Sequence, residues 1–190
     1  MQEQNCGLAF FPDLQYGWAM LTVLMECRDE EALLAHTLAA LVPGAVEGLV
    51  REVIVLDHGS RDGSARVADA AGCRFLTAWN LPDVLRSARG EWLLLLEPGA
   101  RPQVGWIEEV PEYAAHAGAP ARFSAARAFP RPFLQRWKLR APLELGLLVP
   151  KRDATALARP ETTLAALAKA APARRLRSEL IPAWVVRERR

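Results

Sequence analysis

The feature that most constrains the fold is an apolar segment, Val53–Leu56, that ends abruptly in a polar turn. Four apolar and mostly β-branched residues in a row are typical of a strand that is buried on both faces, as in a parallel sheet. The turn covers residues 57–64, and within it Ser60 or Asp62 can cap a helix that begins near Ala65. A strand, a polar turn and a helix N-terminus in this order suit a ligand at the carboxyl edge of an open α/β sheet. A well-capped turn without a ligand has the same pattern.

Short apolar segments alternate with segments of helical periodicity along most of the chain. We predict strands over Leu21–Met25, Val53–Leu56, Cys73–Ala78, Trp92–Leu96, Arg122–Phe129 and Leu145–Val149. We predict helices over Leu33–Leu41 with a stop at Pro43-Gly44, and over Ala65–Ala71, Leu81–Arg89, Val104–Ala117, Asp153–Ala158 and Glu161–Ala171. This order predicts an α/β fold with a mostly parallel, Rossmann-like sheet flanked by helices. Residues 1–18 are expected to form an irregular arm, and residues 1–190 a single domain, because no linker is visible.

The cysteines and the apolar runs indicate the compartment. Cys6, Cys27 and Cys73 are widely spaced and form neither a disulfide framework nor a zinc-binding spacing, which favours a reducing environment. The N-terminus lacks the positive region of a secretory signal. Apolar runs such as Trp92–Leu96 are far shorter than the roughly 20 residues that cross a bilayer. We therefore expect a cytoplasmic protein.

Charge is distributed unevenly, although the net charge is only +2. Residues 1–121 contain 8 basic and 17 acidic residues, whereas residues 122–190 contain 16 basic and 5 acidic ones. Such asymmetry suggests that the C-terminal third faces something anionic, such as a phosphate, a lipid surface or nucleic acid. The alternative is a solvated basic face that is balanced by the acidic part of the same domain.

Titratable side chains follow two of the predicted strands. Glu26, Asp29 and Glu30 form an acidic patch after the first strand, where interaction with the dipole of the next helix is an alternative to ligand binding. Glu97 is the only carboxylate in the exit loop of the fourth strand, and Mg²⁺ normally also needs phosphate oxygens and waters. His58, in the central turn, is the histidine best placed for chemistry, although a lone turn histidine is more often a hydrogen-bonding loop residue.

Other motifs are absent or open to two interpretations. The chain has no Gly-x-Gly-x-x-Gly, no Gly-x-x-x-x-Gly-Lys-Ser/Thr and no Gly-x-Ser-x-Gly, which disfavours a dinucleotide fold, a P-loop and a nucleophile elbow. Pro130–Arg140 mixes arginines with aromatic residues and could bind phosphates or form an exposed loop. Residues 174–187 mix basic and apolar residues, which fits a membrane-surface contact, and fits a final strand or a packed tail at least as well.

Three motifs, in this order, resemble those of the family 2 glycosyltransferases: Leu21–Glu31 followed by a helix, Val53–Ser64, and Ala88–Gly99. In that family the second strand typically ends in Asp-Asp-Gly-Ser-x-Asp-Gly-Ser/Thr, which is matched here by Asp-His-Gly-Ser-Arg-Asp-Gly-Ser. An Ala-x-Gly-Glu lead-in to the fourth strand is matched by Ala88–Glu91. Order and spacing agree over about residues 20–110, and more loosely to about residue 177. The resemblance implies a GT-A fold and a nucleotide-sugar donor.

The resemblance also implies roles for individual residues. The nucleotide-binding residues would be Glu26, Cys27, Arg28, Glu30, Asp57, His58 and Ser60. Glu97 would be the metal ligand, and Glu161 would be the catalytic base. The catalytic motifs are degenerate. His58 replaces the second Asp of the turn, and Glu97-Pro98-Gly99 lacks the second carboxylate of an Asp-x-Asp. Glu161-Thr162 matches the later Glu-Asp pair in which the base usually lies, so only Glu161 remains of that pair.

These observations leave three hypotheses. The first is a glycosyltransferase-like enzyme, inverting, that moves a sugar from a nucleotide donor to an unknown acceptor, with Mn²⁺ or Mg²⁺ weakly held through Glu97 or absent. Inverting transfer needs a base and a positive charge for the leaving diphosphate, and the basic C-terminal third could supply part of that charge. The second is a catalytically inactive GT-A domain that serves as a binding or partner module. The third is an adaptor that docks on an anionic membrane through residues 122–190; a nucleic-acid partner is not expected.

Overall fold

The computed structural model describes residues 20–131 and 140–188 of the chain. The strands are β1 (Leu21–Cys27), β2 (Val50–Asp57), β3 (Arg74–Leu76), β4 (Trp92–Leu96), β5 (Arg101–Pro102), β6 (Ala121–Ala125), β7 (Leu147–Pro150) and β8 (Arg174–Ile181). The helices are α1 (Glu31–Val46), α2 (Ser64–Ala70), α3 (Leu81–Ser87), α4 (Trp106–Ala117), α5 (Lys151–Leu157), α6 (Leu164–Ala170) and α7 (Trp184–Arg187).

The strands form one sheet in the order β3-β2-β1-β4-β7-β6-β8-β5. The first four in this order are parallel to one another, and β7 then runs antiparallel to β4 and opens a mixed half. The predicted α/β fold, with helices flanking the sheet, is confirmed. Cys27 at the end of β1 is the register partner of Asp57 at the end of β2. The segments that follow these two strands therefore leave the sheet side by side.

Apolar side chains cover both faces of the sheet. On one face, Val23 and Met25 belong to a buried cluster that includes Trp106 of α4. On the other face, Leu24 and Leu93 belong to a cluster with residues of α3, α5 and α6. Strands that are covered on both sides have continuous apolar sequences, which is why the central strands could be recognised without an alternating pattern.

The predicted stop of the first helix at Pro43-Gly44 is wrong, because α1 continues to Val46. A proline in the last turn removes one backbone hydrogen bond, and the helix continues past it. Gly44 serves packing instead, since a Cβ atom there would lie 2.5 Å from the side chain of Trp106. The helix ends before Gly48, whose φ of 75° is the left-handed conformation that commonly terminates helices.

The C-terminal part differs most from the predicted elements. The strand predicted over Arg122–Phe129 is shorter, because β6 ends at Ala125 and the N–H of Phe129 donates to the carbonyl of Ala126 in a turn. Residues 174–181 form β8, which is parallel to β6 and antiparallel to β5. The prediction of a final strand is therefore confirmed for these residues. The predicted arm, residues 1–18, and residues 132–139 of the predicted 130–140 loop lie outside the described residues. Within the ranges that are described, no helix is both long and apolar enough to cross a bilayer.

Candidate functional site

A cleft of about 330 Å³ opens where β1 and β2 end. We call it the β1–β2 cleft. The residues that line it are Glu26, Cys27, Arg28, Glu30 and His58. These are five of the seven residues predicted to bind a nucleotide, and the parallel register of β1 with β2 brings them together. The remaining two, Asp57 and Ser60, belong to the turn that carries His58.

Asp57 holds the central turn in shape. Its carboxylate is buried, and it accepts hydrogen bonds from the N–H of Gly59 at 3.0 Å and the N–H of Ser60 at 3.1 Å. The hydroxyl of Ser60 donates to the same carboxylate at 2.5 Å. Both oxygens of Asp57 are therefore engaged within the turn. Its role in this structure is to position the turn that faces the cleft.

The turn after β2 is bonded to the segment that follows β1. The hydroxyl of Ser60 accepts a hydrogen bond from the N–H of Asp29 at 3.0 Å, and the carboxylate of Asp29 accepts one from the N–H of Arg61 at 2.7 Å. Asp29 has a φ of 52°, in the left-handed region that non-glycine residues adopt infrequently. These reciprocal bonds hold Asp29 in that conformation and fix the two walls of the β1–β2 cleft relative to each other.

The starts of α1 and α2 are joined by side chains, each of which accepts a hydrogen bond from a backbone N–H at the start of the other helix. The carboxylate of Asp62 accepts from the N–H of Ser64 at 2.9 Å and from the N–H of Glu31 at 2.9 Å. Glu31 in turn accepts from the N–H of Gly63 at 3.2 Å, and a Cβ atom at Gly63 would lie 2.2 Å from the carboxylate of Glu31. Of the two predicted caps, Asp62 therefore binds the start of α2, and Ser60 bonds to other groups.

His58 lies between an acidic and an aromatic side chain. Its Nε2 is 3.7 Å from Oε2 of Glu26, and its ring packs edge-on against Trp79 with ring centroids 5.3 Å apart. The indole N–H of Trp79 donates to the carbonyl of Asp57 at 3.2 Å. Trp79 was not predicted as a site residue, because it follows β3 in a segment without a recognisable motif. The pairing of β3 with β2 is what brings it to the cleft.

Glu26 also reaches an element far along the chain. Its Oε1 accepts a hydrogen bond from the N–H of Leu164, the first residue of α6, at 2.8 Å. The predicted catalytic residue, Glu161, is exposed in the turn that leads into this helix. The bond to Glu26 thus ties the segment that carries Glu161 to the end of β1.

The predicted metal ligand, Glu97, lies among charged groups. Nη2 of Arg187, in α7, is 2.7 Å from Oε1 of Glu30. Burial raises the pKa of Glu97, the positive charge of Arg187 lowers it, and the negative charges of Glu144 and Glu30 raise it further. Arg187, Glu30 and Glu144 are therefore electrostatic neighbours of Glu97. Arg187 was not predicted as a site residue, since nothing local distinguishes it from other arginines of the basic part.

The donor set around Glu97 does not fit a divalent cation. In residues 20–131 and 140–188, no group of three or more His, Cys, Asp or Glu side chains is arranged to hold a metal ion. Glu97 is followed by Pro98 and Gly99, which offer no carboxylate. The positive charge that affects its pKa is the guanidinium of Arg187. Mg²⁺ and Mn²⁺ favour several oxygen ligands around one position, which these side chains do not provide.

A second cleft, of about 360 Å³, lies beside α7. We call it the Trp184 cleft. It is lined in part by Arg127, Arg131, Arg140, Glu144 and Trp184. Arg131 and Glu144 form an ion pair at 2.8 Å, and the buried indole nitrogen of Trp184 has no hydrogen-bond partner among the described residues. Because Trp184 and Arg187 both belong to α7, this one helix contributes to the Trp184 cleft and to the ion pair beside the β1–β2 cleft.

The chain is similar in part to known proteins. No protein-family profile matches it. A TPR repeat-containing protein of Synechococcus elongatus is 36% identical over 86 residues, which is 42% of this chain and 20% of that protein. Glucosyl-3-phosphoglycerate synthase of Mycolicibacterium paratuberculosis is 39% identical over 75 residues, which is 38% of this chain and 22% of that enzyme. The aligned region is about a fifth of the length of these curated relatives.

Solved structures share the fold. Glucosyl-3-phosphoglycerate synthase from Mycobacterium tuberculosis in complex with phosphoglyceric acid has a TM-score of 0.56 at 19% identity, over 74% of this chain and 60% of that one. The same enzyme with Mn²⁺, uridine diphosphate and glucosyl-3-phosphoglycerate has a TM-score of 0.54 at 20% identity, with the same coverage. The predicted GT-A fold is thereby confirmed, and the structural neighbours are nucleotide-sugar glycosyltransferases.

Proposed function

We propose that this chain is a family 2-type glycosyltransferase that binds a nucleotide-sugar donor in the β1–β2 cleft and transfers its sugar to a small anionic acceptor. The observation that carries the proposal is the convergence of five residues, chosen from sequence motifs alone, on one cleft at the carboxyl edge of a parallel sheet. Ligands of open α/β sheets bind at this edge. The GT-A fold and the UDP-glucose complexes of the structural neighbours support a uridine nucleotide as the donor.

In this proposal the nucleoside occupies the β1–β2 cleft. The carboxylates of Glu26 and Glu30 accept hydrogen bonds from the base and the ribose, and Arg28 and His58 supply donors. Trp79 holds the imidazole of His58 edge-on, which supports a fixed orientation of that ring at the cleft. Asp57 and Ser60 act indirectly, through the shape of the turn.

Transfer would proceed in one displacement. The bond between the anomeric carbon of the sugar and the diphosphate oxygen breaks, a bond from that carbon to the acceptor oxygen forms, and the negative charge remains on the leaving diphosphate. Glu161 takes the proton of the acceptor hydroxyl as general base. The link from Glu26 to the start of α6 supports this role, because it ties the segment that carries Glu161 to the donor side of the site.

The Trp184 cleft is the proposed acceptor site. Its arginines favour a phosphate or a carboxylate, and the indole N–H of Trp184, which has no acceptor among residues 20–131 and 140–188, can donate to a ligand oxygen. A structural neighbour binds phosphoglyceric acid, which carries both kinds of group. We therefore propose a small phosphorylated or carboxylated alcohol as the acceptor class.

A thermal-shift screen of uridine, guanosine, cytidine and thymidine diphosphates and their sugars, with and without Mn²⁺, tests the proposal. A ligand at about 100 times its Kd adds about 2.7 kcal/mol to the free energy of unfolding, which raises the Tm of a chain of this size by roughly 5–10 °C. We expect this shift with uridine nucleotides. If no nucleotide shifts the Tm, the proposed donor site is wrong.

The two other hypotheses give different results in related assays. An inactive GT-A module would bind UDP-glucose yet leave it intact in the presence of 3-phosphoglyceric acid. An electrostatic adaptor would bind phosphatidylserine vesicles in a salt-sensitive way and show no nucleotide shift. Arg187 pairs with Glu30, and Arg177 pairs with Glu109. These pairs indicate that acidic residues of the same chain balance the charge of the basic part, which disfavours a membrane as its partner.

A further inference from the structure

We propose that Arg187 is the cation that binds the diphosphate of the donor, so that nucleotide binding does not require a divalent metal ion. This inference rests on the proposed function and adds to it a residue and a metal requirement. Among the structural neighbours, the synthase is described in complex with UDP together with Mn²⁺ or Mg²⁺, and also in complex with UDP alone.

The guanidinium of Arg187 is placed at the edge of the β1–β2 cleft. Its Nη2 is 2.7 Å from Oε1 of Glu30, and Glu30 lines that cleft. The side chain of Arg187 remains 48% exposed. A guanidinium has five N–H donors in a planar fork. Arg187 can therefore keep its bond to Glu30 and still present N–H groups to a phosphate, which is the bidentate geometry that arginine favours.

Packing fixes the helix that carries Arg187. A Cβ atom on Gly99 would lie 3.3 Å from both Cα and Cβ of Ala183, so the loop after β4 is in close contact with the residue that precedes α7. The N–H of Gly99 donates to the hydroxyl of Thr37 at 2.7 Å, which anchors that loop on α1. Val185 is buried in a cluster with Ile181. Arg187 is thus positioned by the fold and not by a freely moving tail.

The charges around the cleft favour a second cation, because Arg28 is the one arginine among the lining residues. Glu26 and Glu30 line the cleft, and Glu97 is close enough to Glu30 and Arg187 for their charges to affect its pKa. A diphosphate that enters this surrounding is repelled unless a positive charge faces it. His58 lies 3.7 Å from Glu26, so its ring is directed toward a carboxylate. Arg187 is ion-paired with one of these carboxylates, Glu30, and its positive charge lowers the pKa of another, Glu97.

The alternative, a metal ion at Glu97, conflicts with the same geometry. A divalent ion would have one carboxylate as a ligand at the end of β4, and the positive charge of Arg187, which lowers the pKa of Glu97, would repel it. Arg187 and a metal ion are therefore alternatives, and the side chains that are present favour Arg187.

Calorimetric titration of the full chain with UDP and with UMP, in EDTA and in Mn²⁺, tests this inference. We expect the wild type to bind UDP in EDTA, and Mn²⁺ to change the Kd less than threefold. Arg187→Ala should weaken UDP binding at least tenfold and UMP binding by less than threefold, because UMP lacks the second phosphate. Arg187→Lys should retain part of the affinity for UDP. Arg152→Ala, which removes an exposed, ion-paired arginine of α5, is the matched control and should bind as the wild type does.

Other results would contradict either this inference or the proposed function. UDP binding that needs Mn²⁺ and survives Arg187→Ala overturns this inference and leaves the proposed function intact. Equal losses for UDP and UMP contradict a contact with the diphosphate. If the wild type binds neither nucleotide in either buffer, the proposed function itself is wrong. The Tm of each variant is measured alongside, and Arg187→Lys provides the comparison if Arg187→Ala does not fold.

Discussion

Nη2 of Arg187 lies 2.7 Å from Oε1 of Glu30, across 157 positions of sequence. The bond joins the last helix to the residue that precedes the first one, and it joins the basic part of the chain to the acidic part. Arg177 makes a similar connection to Glu109, with Nε 3.5 Å from Oε1. The uneven distribution of charge along the sequence is thus partly matched within the structure, and the pair of Arg187 with Glu30 lies where we propose that a diphosphate binds.

Asp57→Asn should lower the free energy of unfolding, because the turn after β2 is held by this carboxylate. The carboxylate accepts from two backbone N–H groups and one hydroxyl, whereas an amide offers one oxygen and directs an N–H₂ group at the same donors. We expect a loss of about 1–3 kcal/mol in the free energy of unfolding. Urea denaturation measures it, with Asp69→Asn on the exposed face of α2 as the control. Equal stability of the two variants would show that the turn does not depend on Asp57.

Glu26→Ala should loosen the start of α6. The N–H of Leu164 loses its acceptor, so the first turn of the helix and the preceding segment with Glu161 should open more easily. Amide hydrogen exchange at Leu164 should accelerate about tenfold, the effect of losing roughly 1.4 kcal/mol of local stability. Glu47→Ala, at the exposed end of α1, should leave this exchange unchanged. If exchange at Leu164 is unaltered in Glu26→Ala, Glu26 does not stabilise the segment that carries the proposed base.

The central strands could be predicted because the residues of each strand indicate its burial on both faces. Val53–Leu56 and Trp92–Leu96 are apolar without interruption since both faces of the sheet are covered. Element ends were less predictable. Pro43 and Gly44 have the composition of a helix stop, yet the space beside Trp106 decides that Gly44 stays in the helix. Local sequence does not contain that information.

The candidate site could be predicted only where its residues lie next to a strand end. Glu26, Cys27, Arg28, Glu30 and His58 follow β1 or β2 directly, so parallel pairing was enough to bring them together. Trp79, Leu164 and Arg187 come from other elements, and their positions depend on strand order and on packing across the sheet. Neither can be inferred from motif spacing. The pairing of β6 with β8 is a further case, because its register shifts between Arg175 and Glu179, where the N–H groups of Arg177 and Ser178 donate to Glu109 of α4.

Glu161→Gln should abolish most sugar transfer and leave donor binding intact. The amide keeps the shape of the side chain but cannot take a proton from the acceptor hydroxyl. General-base catalysis contributes about 10²–10⁴-fold, and we expect kcat to fall by that factor while the Kd for UDP changes less than twofold. The control is Asp153→Asn, which alters another carboxylate of the basic part. A variant that retains full kcat would exclude Glu161 as the base.

Glu109→Gln should cost stability at neutral pH and little at low pH. Burial acts to raise the pKa of Glu109, but hydrogen bonds from Ser178 and Arg177 outweigh it and hold the pKa below its ordinary value of 4.5. A carboxylate with a lowered folded-state pKa stabilises the protein above the unfolded-state pKa, and this stabilisation is lost as the pH falls through the folded-state pKa.

Denaturation of the wild type and Glu109→Gln across pH 3–8 measures this effect. We expect a constant difference of about 1–3 kcal/mol in the free energy of unfolding above pH 5, and a decreasing difference below about pH 4.5. Glu108→Gln, one position earlier on α4, is the control. A difference that stays the same down to pH 3 would mean that the charge of Glu109 does not contribute.

The most direct test of the central claim is to map where UDP binds by NMR of the backbone amides of the full chain. We predict that UDP shifts amides in two segments, residues 26–30 and 58–60, which lie at the ends of β1 and β2. The apolar groove between α1 and α4, lined in part by Val42, Val46 and Ile107, should be unaffected. Shifts confined to that groove, or no saturable shift at all, would contradict a nucleotide site at the carboxyl edge of the sheet.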